Sequence, residues 1–219
     1  MQIEYQAIYP FWTDLSQEEK RYAEESCYTE TYDKGKSLHR SGENCKGLIS
    51  VLDGQLRAYV LSEEGREVTL FRVNKGEVCV LSASCLMDSI AFDVLIEAAE
   101  QAEVLVLPAI CLKSVMQSNL RVELYLYKTA TEKFSDVMWT MQQILFQKID
   151  QRVAQFLWDE MLVKEKLVLN VTHEEIAKNI GSAREVVTKV LKYLSEAQVV
   201  ALKRGKIVIL DQDKLKKYL

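Results

Sequence analysis

Between Val171 and Leu194 the sequence VTHEEIAKNIGSAREVVTKVLKYL collects side chains with a definite recognition chemistry. Arg184, Glu185, Thr188, Lys189 and Lys192 fall on one face of a helical segment. Arginine and lysine donate hydrogen bonds to guanine O6 and N7, and glutamate accepts one from cytosine N4, so this set is equipped to read base edges in a major groove. Thr172, just before an earlier helical turn, is placed to meet a phosphate, as hydroxyls at helix starts commonly do. Lys203, Arg204 and Lys206 surround a glycine turn and would add salt-sensitive contacts to phosphates. Ordinary solubilising charges on a turn would look the same.

Local signals define the elements that carry these residues. Thr172-His173-Glu174-Glu175 is a capping box, with Val171 and Ile176 as its hydrophobic staple, so a short helix starts at His173. It stops at Gly181, which can take the positive φ of a sharp interhelical turn, and a second helix follows from about Ala183. Ala177 is small where a crossing helix must approach, and Ile176, Ile180, Val187, Val190, Leu191 and Leu194 close an apolar face between the two helices. This is a helix-turn-helix pattern. Beyond it, QVVALK and KIVIL flank Arg204-Gly205 as a hairpin, and a basic turn beside a recognition helix reads as a wing. A protein-binding winged helix is the alternative; it would expose apolar anchors where this face carries charge.

The remainder of the chain supplies a different kind of module. Ser16-Gln17-Glu18-Glu19 is another capping box, opening a helix that ends near Cys27. From there to about Pro108, short Val-, Leu-, Tyr- and Thr-rich runs are interrupted by Gly54, Gly65 and Gly76, spaced 11 apart, the rhythm of an antiparallel sandwich or barrel. Alternation of Leu56, Ala58 and Val60 with Gln55, Arg57 and Tyr59 marks a half-buried strand. From about Asn119 to Ile149 there is no Gly or Pro, which predicts a helix of about 45 Å. Tyr127, Thr131, Phe134, Met138, Met141 and Leu145 step by four and three, the spacing of a coiled-coil seam. That face either pairs with its copy in a second subunit or packs on the β-rich module. The expected fold is therefore α+β: an antiparallel, jelly-roll-like β-roll over residues 1–118, a long dimerisation helix and hinge over 119–149, and a winged helix-turn-helix over 150–219.

The order of these parts, together with IGSAREVVTKVLKYL and LKRGKIVIL, resembles the CRP/FNR family of regulators. The resemblance spans nearly the whole chain, with specific motifs only in the C-terminal third. It implies a homodimer whose β-roll senses an effector and whose recognition helices enter successive major grooves of a palindromic site, with RNA polymerase as a further partner. By it, Arg184, Glu185 and Lys189 sit at base-reading positions, with Ser182 and Thr188 beside them, and Thr172, His173 and Ala183 complete the contacting set. Lys189 stands where an arginine is common in the family, so the resemblance does not carry over the base preferred at that step.

Charge agrees with such a division of labour. The chain carries a net charge of −4, but residues 151–219 hold 13 Lys and Arg against 9 Asp and Glu, while residues 1–150 hold 15 against 23. A basic module that meets a polyanion joined to an acidic one that does not would give this asymmetry, as would chance. Members of the family that bind cyclic AMP carry a Gly-Glu pair followed by an arginine that grips the phosphate. The corresponding stretch here, Gly76 to Pro108, has no Lys or Arg and six carboxylates, which speaks against cyclic AMP because a buried phosphodiester would face uncompensated negative charge unless a cation came from elsewhere, such as Arg121 on the long helix. The five cysteines, Cys27, Cys45, Cys79, Cys85 and Cys111, form no C-x-x-C pair, and no N-terminal cluster suited to an iron–sulfur centre is present. His39 and His173 are the only histidines, which speaks against haem. Cys79, Cys85 and, on the long helix, Thr131 are the candidate effector or redox positions; two buried apolar cysteines are the simpler account of the first pair. No metal motif, phosphate loop or catalytic triad is evident, so an enzyme is not expected. Without a run of ~20 apolar residues or a basic, apolar leader, the chain reads as cytoplasmic and unattached to membrane.

Overall fold

The computed structural model describes residues 3–39, 46–86 and 94–219. The chain divides into two compact units, Met1–Val60 with Leu70–Val137, and Leu61–Thr69 with Met138–Leu219.

From the N-terminal side, α1 (Tyr5–Ile8), a 3-10 turn (Pro10–Asp14) and α2 (Gln17–Ser26) precede the strands β1 (Tyr28–Tyr32), β2 (Ser37–His39), β3 (Gly47–Asp53), β4 (Gln55–Leu61), β5 (Glu67–Asn74), β6 (Val78–Cys79), β7 (Leu95–Ala98) and β8 (Ala102–Pro108). Two four-stranded sheets result, ordered β1-β8-β3-β6 and β2-β7-β4-β5. The β1–β8 and β3–β8 pairs are antiparallel, with Val106 opposite both Tyr28 and Ile49. Leu48, Ile49, Leu56, Ala58, Ile96, Val104, Leu105 and Val106 are completely or almost completely buried and join the two sheets in one core. Alternation in β4 thus selects its inward face, as the period of two requires. Gly54 closes the β3–β4 turn with φ +79°, and a Cβ there would come within 2.2 Å of the Gln101 carbonyl oxygen. Only glycine fits this corner.

Arg57 points away from that inward row and is nevertheless buried, paired with Glu97 at 2.9 Å and lying over the Tyr59 ring. It brings a cation into the β-roll from outside the 76–108 stretch. Cys79 is completely buried, and burial pushes its thiol up to about 11, so the reactive thiolate is disfavoured at neutral pH. The side chain of Cys85 lies outside the described residues. Thr131 is exposed and donates its hydroxyl to the Tyr127 carbonyl at 2.9 Å.

Two helices follow, α3 (Ala109–Ser118) and α4 (Leu120–Phe146). Val122 and Leu126 of α4 are buried in the β-roll core. Its other face carries Leu120, Leu124, Tyr127, Phe134, Met138, Met141 and Leu145, all exposed. The seam spacing therefore reaches two turns further towards the N-terminus than the sequence pattern suggested, and it faces solvent. The helix ends at Phe146, three residues short of the expected limit. Lys148 is extended (φ −67°, ψ 158°) and begins the next helix, with the Gln151 side chain accepting from the Lys148 amide at 3.0 Å. No Gly or Pro announces this break. Among the described residues no helix is long and apolar enough to cross a membrane.

The second unit continues with α5 (Ile149–Lys164), β9 (Val168–Leu169), α6 (His173–Ile180), α7 (Arg184–Glu196), β10 (Val200–Lys203), β11 (Lys206–Ile209) and α8 (Gln212–Lys216). Strands β10, β11 and β9 form an antiparallel sheet in that order. Val153, Leu157, Leu169, Ile176, Val187, Leu191, Leu194, Val200, Ile207 and Leu215 form its core.

Candidate nucleic-acid interface

The α6–α7 pair is built as its local signals require. Thr172 accepts from the Glu175 amide at 3.1 Å, and the Glu175 carboxylate accepts from the Thr172 amide at 2.7 Å, closing the capping box. Two of the helix's orphan donors are thereby satisfied. Val171 and Ile176, the expected staple, are both buried. At the other end Gly181 takes φ +64°, and the Ser182 amide donates back to the Ala177 carbonyl at 2.9 Å, turning the chain sharply into α7. Ala183 is the extended residue before α7.

Burial then sorts the faces of α7. Val187, Leu191 and Leu194 are buried against α5 and α6, with Val190 packed at their edge. Arg184, Glu185, Lys189 and Lys192 are exposed. Val186 is exposed beside them, an apolar group in the outer face that the charge pattern of the sequence did not single out. Thr188 is half-buried, and its hydroxyl is engaged by its own unit: it donates to the Arg184 carbonyl at 2.8 Å and lies 2.9 Å from His173 Nδ1.

The wing turns at Arg204-Gly205, with Lys203 opposite Lys206 across the hairpin and Gly205 at φ +69°. It lies beside the start of α6 and the start of α7: Thr172, His173, Glu174, Arg184, Lys203, Arg204 and Lys206 line one concavity. Four permanent cations thus converge on a groove with a single carboxylate, Glu174, in its lining. Among the described residues Arg184, Lys189, Lys203, Arg204 and Lys206 make no ion pair, so their charge is available to a polyanion. Within the groove His173 is held below the usual histidine range by burial first and by Arg184 second. The Thr172 hydroxyl is directed to the Glu175 carboxylate at 3.0 Å, so donating to a phosphate would require that proton to turn outward. Ser182, half-buried, and Ala183, exposed, lie at the mouth of α7.

Three elements of this unit escaped the sequence pattern, the first being helix α5. Strand β9 adds a third strand to the wing through Leu169 opposite Ile207, a pairing 38 residues apart in sequence. Helix α8 is capped by Asp211, which accepts from the Lys214 amide at 2.9 Å.

Two expected outcomes separate the roles in this interface. Lys189→Glu should change preference at one base step, at a cost of about 1–3 kcal/mol, when affinities for single-base operator variants are compared. Arg204→Ala should weaken binding to all sequences alike and reduce the slope of log affinity against log salt by about one. A change confined to one base in the second variant would make the wing a reader of sequence.

Similarity to known proteins follows the same division. Residues 29–119 match the cyclic nucleotide-binding domain family, and residues 151–218 match the Crp-like helix-turn-helix domain family. The chain is 41% identical to a structurally characterised transcriptional regulator of the CRP/FNR family from Eubacterium rectale, with a TM-score of 0.92 over 96% of this chain and 98% of that one. It is 30% identical over 174 residues to the transcriptional regulator SdrP of Thermus thermophilus, covering 76% of this chain and 80% of the relative. The cAMP-activated global transcriptional regulator CRP of Pasteurella multocida is 20% identical over 189 residues, covering 84% and 90% respectively. With both of its units matched and relatives of this similarity aligned along most of its length, the chain belongs to the CRP/FNR family of DNA-binding transcription regulators.

Proposed function

We propose that the chain works as a homodimer on a palindromic operator, in the cytoplasm, with α7 reading bases and the wing holding phosphates. The observation that carries this is the convergence of Arg184, Lys203, Arg204 and Lys206, without ion-pair partners among the described residues, beside the exposed outer face of α7. Arg184, Glu185 and Lys189 supply donors and an acceptor for base edges, and Thr172, His173, Ser182, Ala183 and Thr188 flank them at the helix starts. The solvent-facing apolar seam of α4 supports pairing with a second copy, because a stripe of that size on a helix is normally buried. Two recognition helices would insert at half-sites with centres about 34–36 Å apart. A controlling signal would be received in the β-roll, and the transcriptional effect would run through contact with RNA polymerase.

Light scattering of the protein with a short operator duplex tests the assembly. Two chains per duplex are expected. One chain per duplex, unchanged at higher protein concentration, would contradict the homodimer.

A further inference from the structure

His173 sits where the geometry determines what its ring can offer. Its Nδ1 lies 2.9 Å from Thr188 Oγ1, and that hydroxyl donates its only hydrogen to the Arg184 carbonyl at 2.8 Å. A Thr188 hydroxyl that gives its hydrogen to the Arg184 carbonyl offers the ring a lone pair, and in that arrangement Nδ1 carries the hydrogen. In the neutral ring this leaves Nε2, on the opposite edge, as a bare acceptor. Nε2 has no protein partner among the described residues. A phosphate oxygen brought to that edge meets lone pair against lone pair. After protonation it meets an N–H donor and a positive charge.

The surroundings make the protonation state depend on DNA. Facing or flanking the ring are Glu174 and Glu175 on α6, Arg184 on α7, and Lys203, Arg204 and Lys206 on the wing. Glu175 is committed to the capping box. Without DNA, partial burial and then Arg184 favour the neutral ring. Phosphates entering the same groove neutralise those cations and reverse the sign of the local field.

We propose that His173 is a proton-linked DNA contact: as a backbone phosphate enters the groove, each protomer takes up one proton from solvent at Nε2, and operator affinity rises as pH falls. This rests on the DNA-binding assignment of the groove. The bound ring has the higher pKa of the two states. The gain is therefore absent well above the bound value, grows as pH falls through it, and is complete below the free value.

Operator affinity measured by fluorescence anisotropy from about pH 8 to about pH 6 at constant ionic strength tests the proposal. The wild-type chain should tighten by up to about tenfold per half-site for each unit that DNA raises the histidine pKa. His173→Gln, neutral throughout, should bind with no dependence on pH over this range. His173→Arg, charged throughout, should be flat near the low-pH affinity. His39→Gln, altering the other histidine, should keep the full pH dependence. The same pH dependence in His173→Gln as in wild type overturns the proposal, as does pH-independent binding by wild type. Absence of operator binding at every pH would overturn the DNA-binding assignment and the proposal with it.

Discussion

Glutamates at Phe134 and Met138 together should leave the protein monomeric and lower its affinity for a two-half-site operator by about 10²–10⁴-fold, the range that linking two binding modules contributes. Both side chains are exposed in the chain, Phe134 at 61% and Met138 at 40%, and both lie on the seam that runs from Leu120 to Leu145. Neither belongs to the buried face of α4, which is carried by Val122 and Leu126, so folding of the single chain should survive. A carboxylate buried across a helix pair without a partner carries a heavy desolvation cost, and two facing copies would add like-charge repulsion. Sedimentation equilibrium reads the first effect and operator titration the second. A stable dimer in the double variant would show that this face of α4 is not the interface. A monomer that keeps full operator affinity would show that pairing is not needed for binding.

Leu191→Ala should destabilise the C-terminal unit by about 2–5 kcal/mol. Leu191 is completely buried where α7 meets α5, α6 and the wing, in one cluster with Leu157, Ile176, Leu194 and Ile207. Truncation removes its contacts and leaves a cavity that the two fixed helices and the wing cannot collapse into. Val186→Ala, one turn and a face away at 38% exposure, should cost less than about 0.5 kcal/mol. Denaturant midpoints of the two variants should therefore separate clearly. Equal midpoints would mean that the helix pair is not packed through Leu191.

The parts of this molecule that were legible in its sequence are those specified over a few residues. The capping boxes at Ser16 and Thr172, the left-handed Gly181, and the Gly205 turn of the wing each depend on neighbours within one helical turn. Period alone identified the strand from Gln55 to Leu61 and the seam of α4. What did not show was specified at a distance or by a residue without a signal of its own. The break between Phe146 and Ile149 uses Lys148 and Gln151 where a glycine or proline would have been conspicuous. Strand β9 exists through its pairing with β11, and the buried Arg57 is explained only once Glu97 is beside it, 40 residues on. The candidate site shows both cases. Its outer charges were visible in the helical spacing. The Thr188 hydroxyl, by contrast, reads as one more outward group until the fold brings His173 to it across the helix-turn-helix. With that contact Thr188 orients a histidine as well as flanking the base-reading residues.

The most direct test of the central claim is selection of bound duplexes from a random DNA pool by the purified protein. Enrichment of a palindrome with half-site centres one helical turn, about 34–36 Å, apart is expected, with a changed preference at one base step for Lys189→Glu. No enrichment, or enrichment of a single unrepeated half-site that binds as well as any pair, would contradict it.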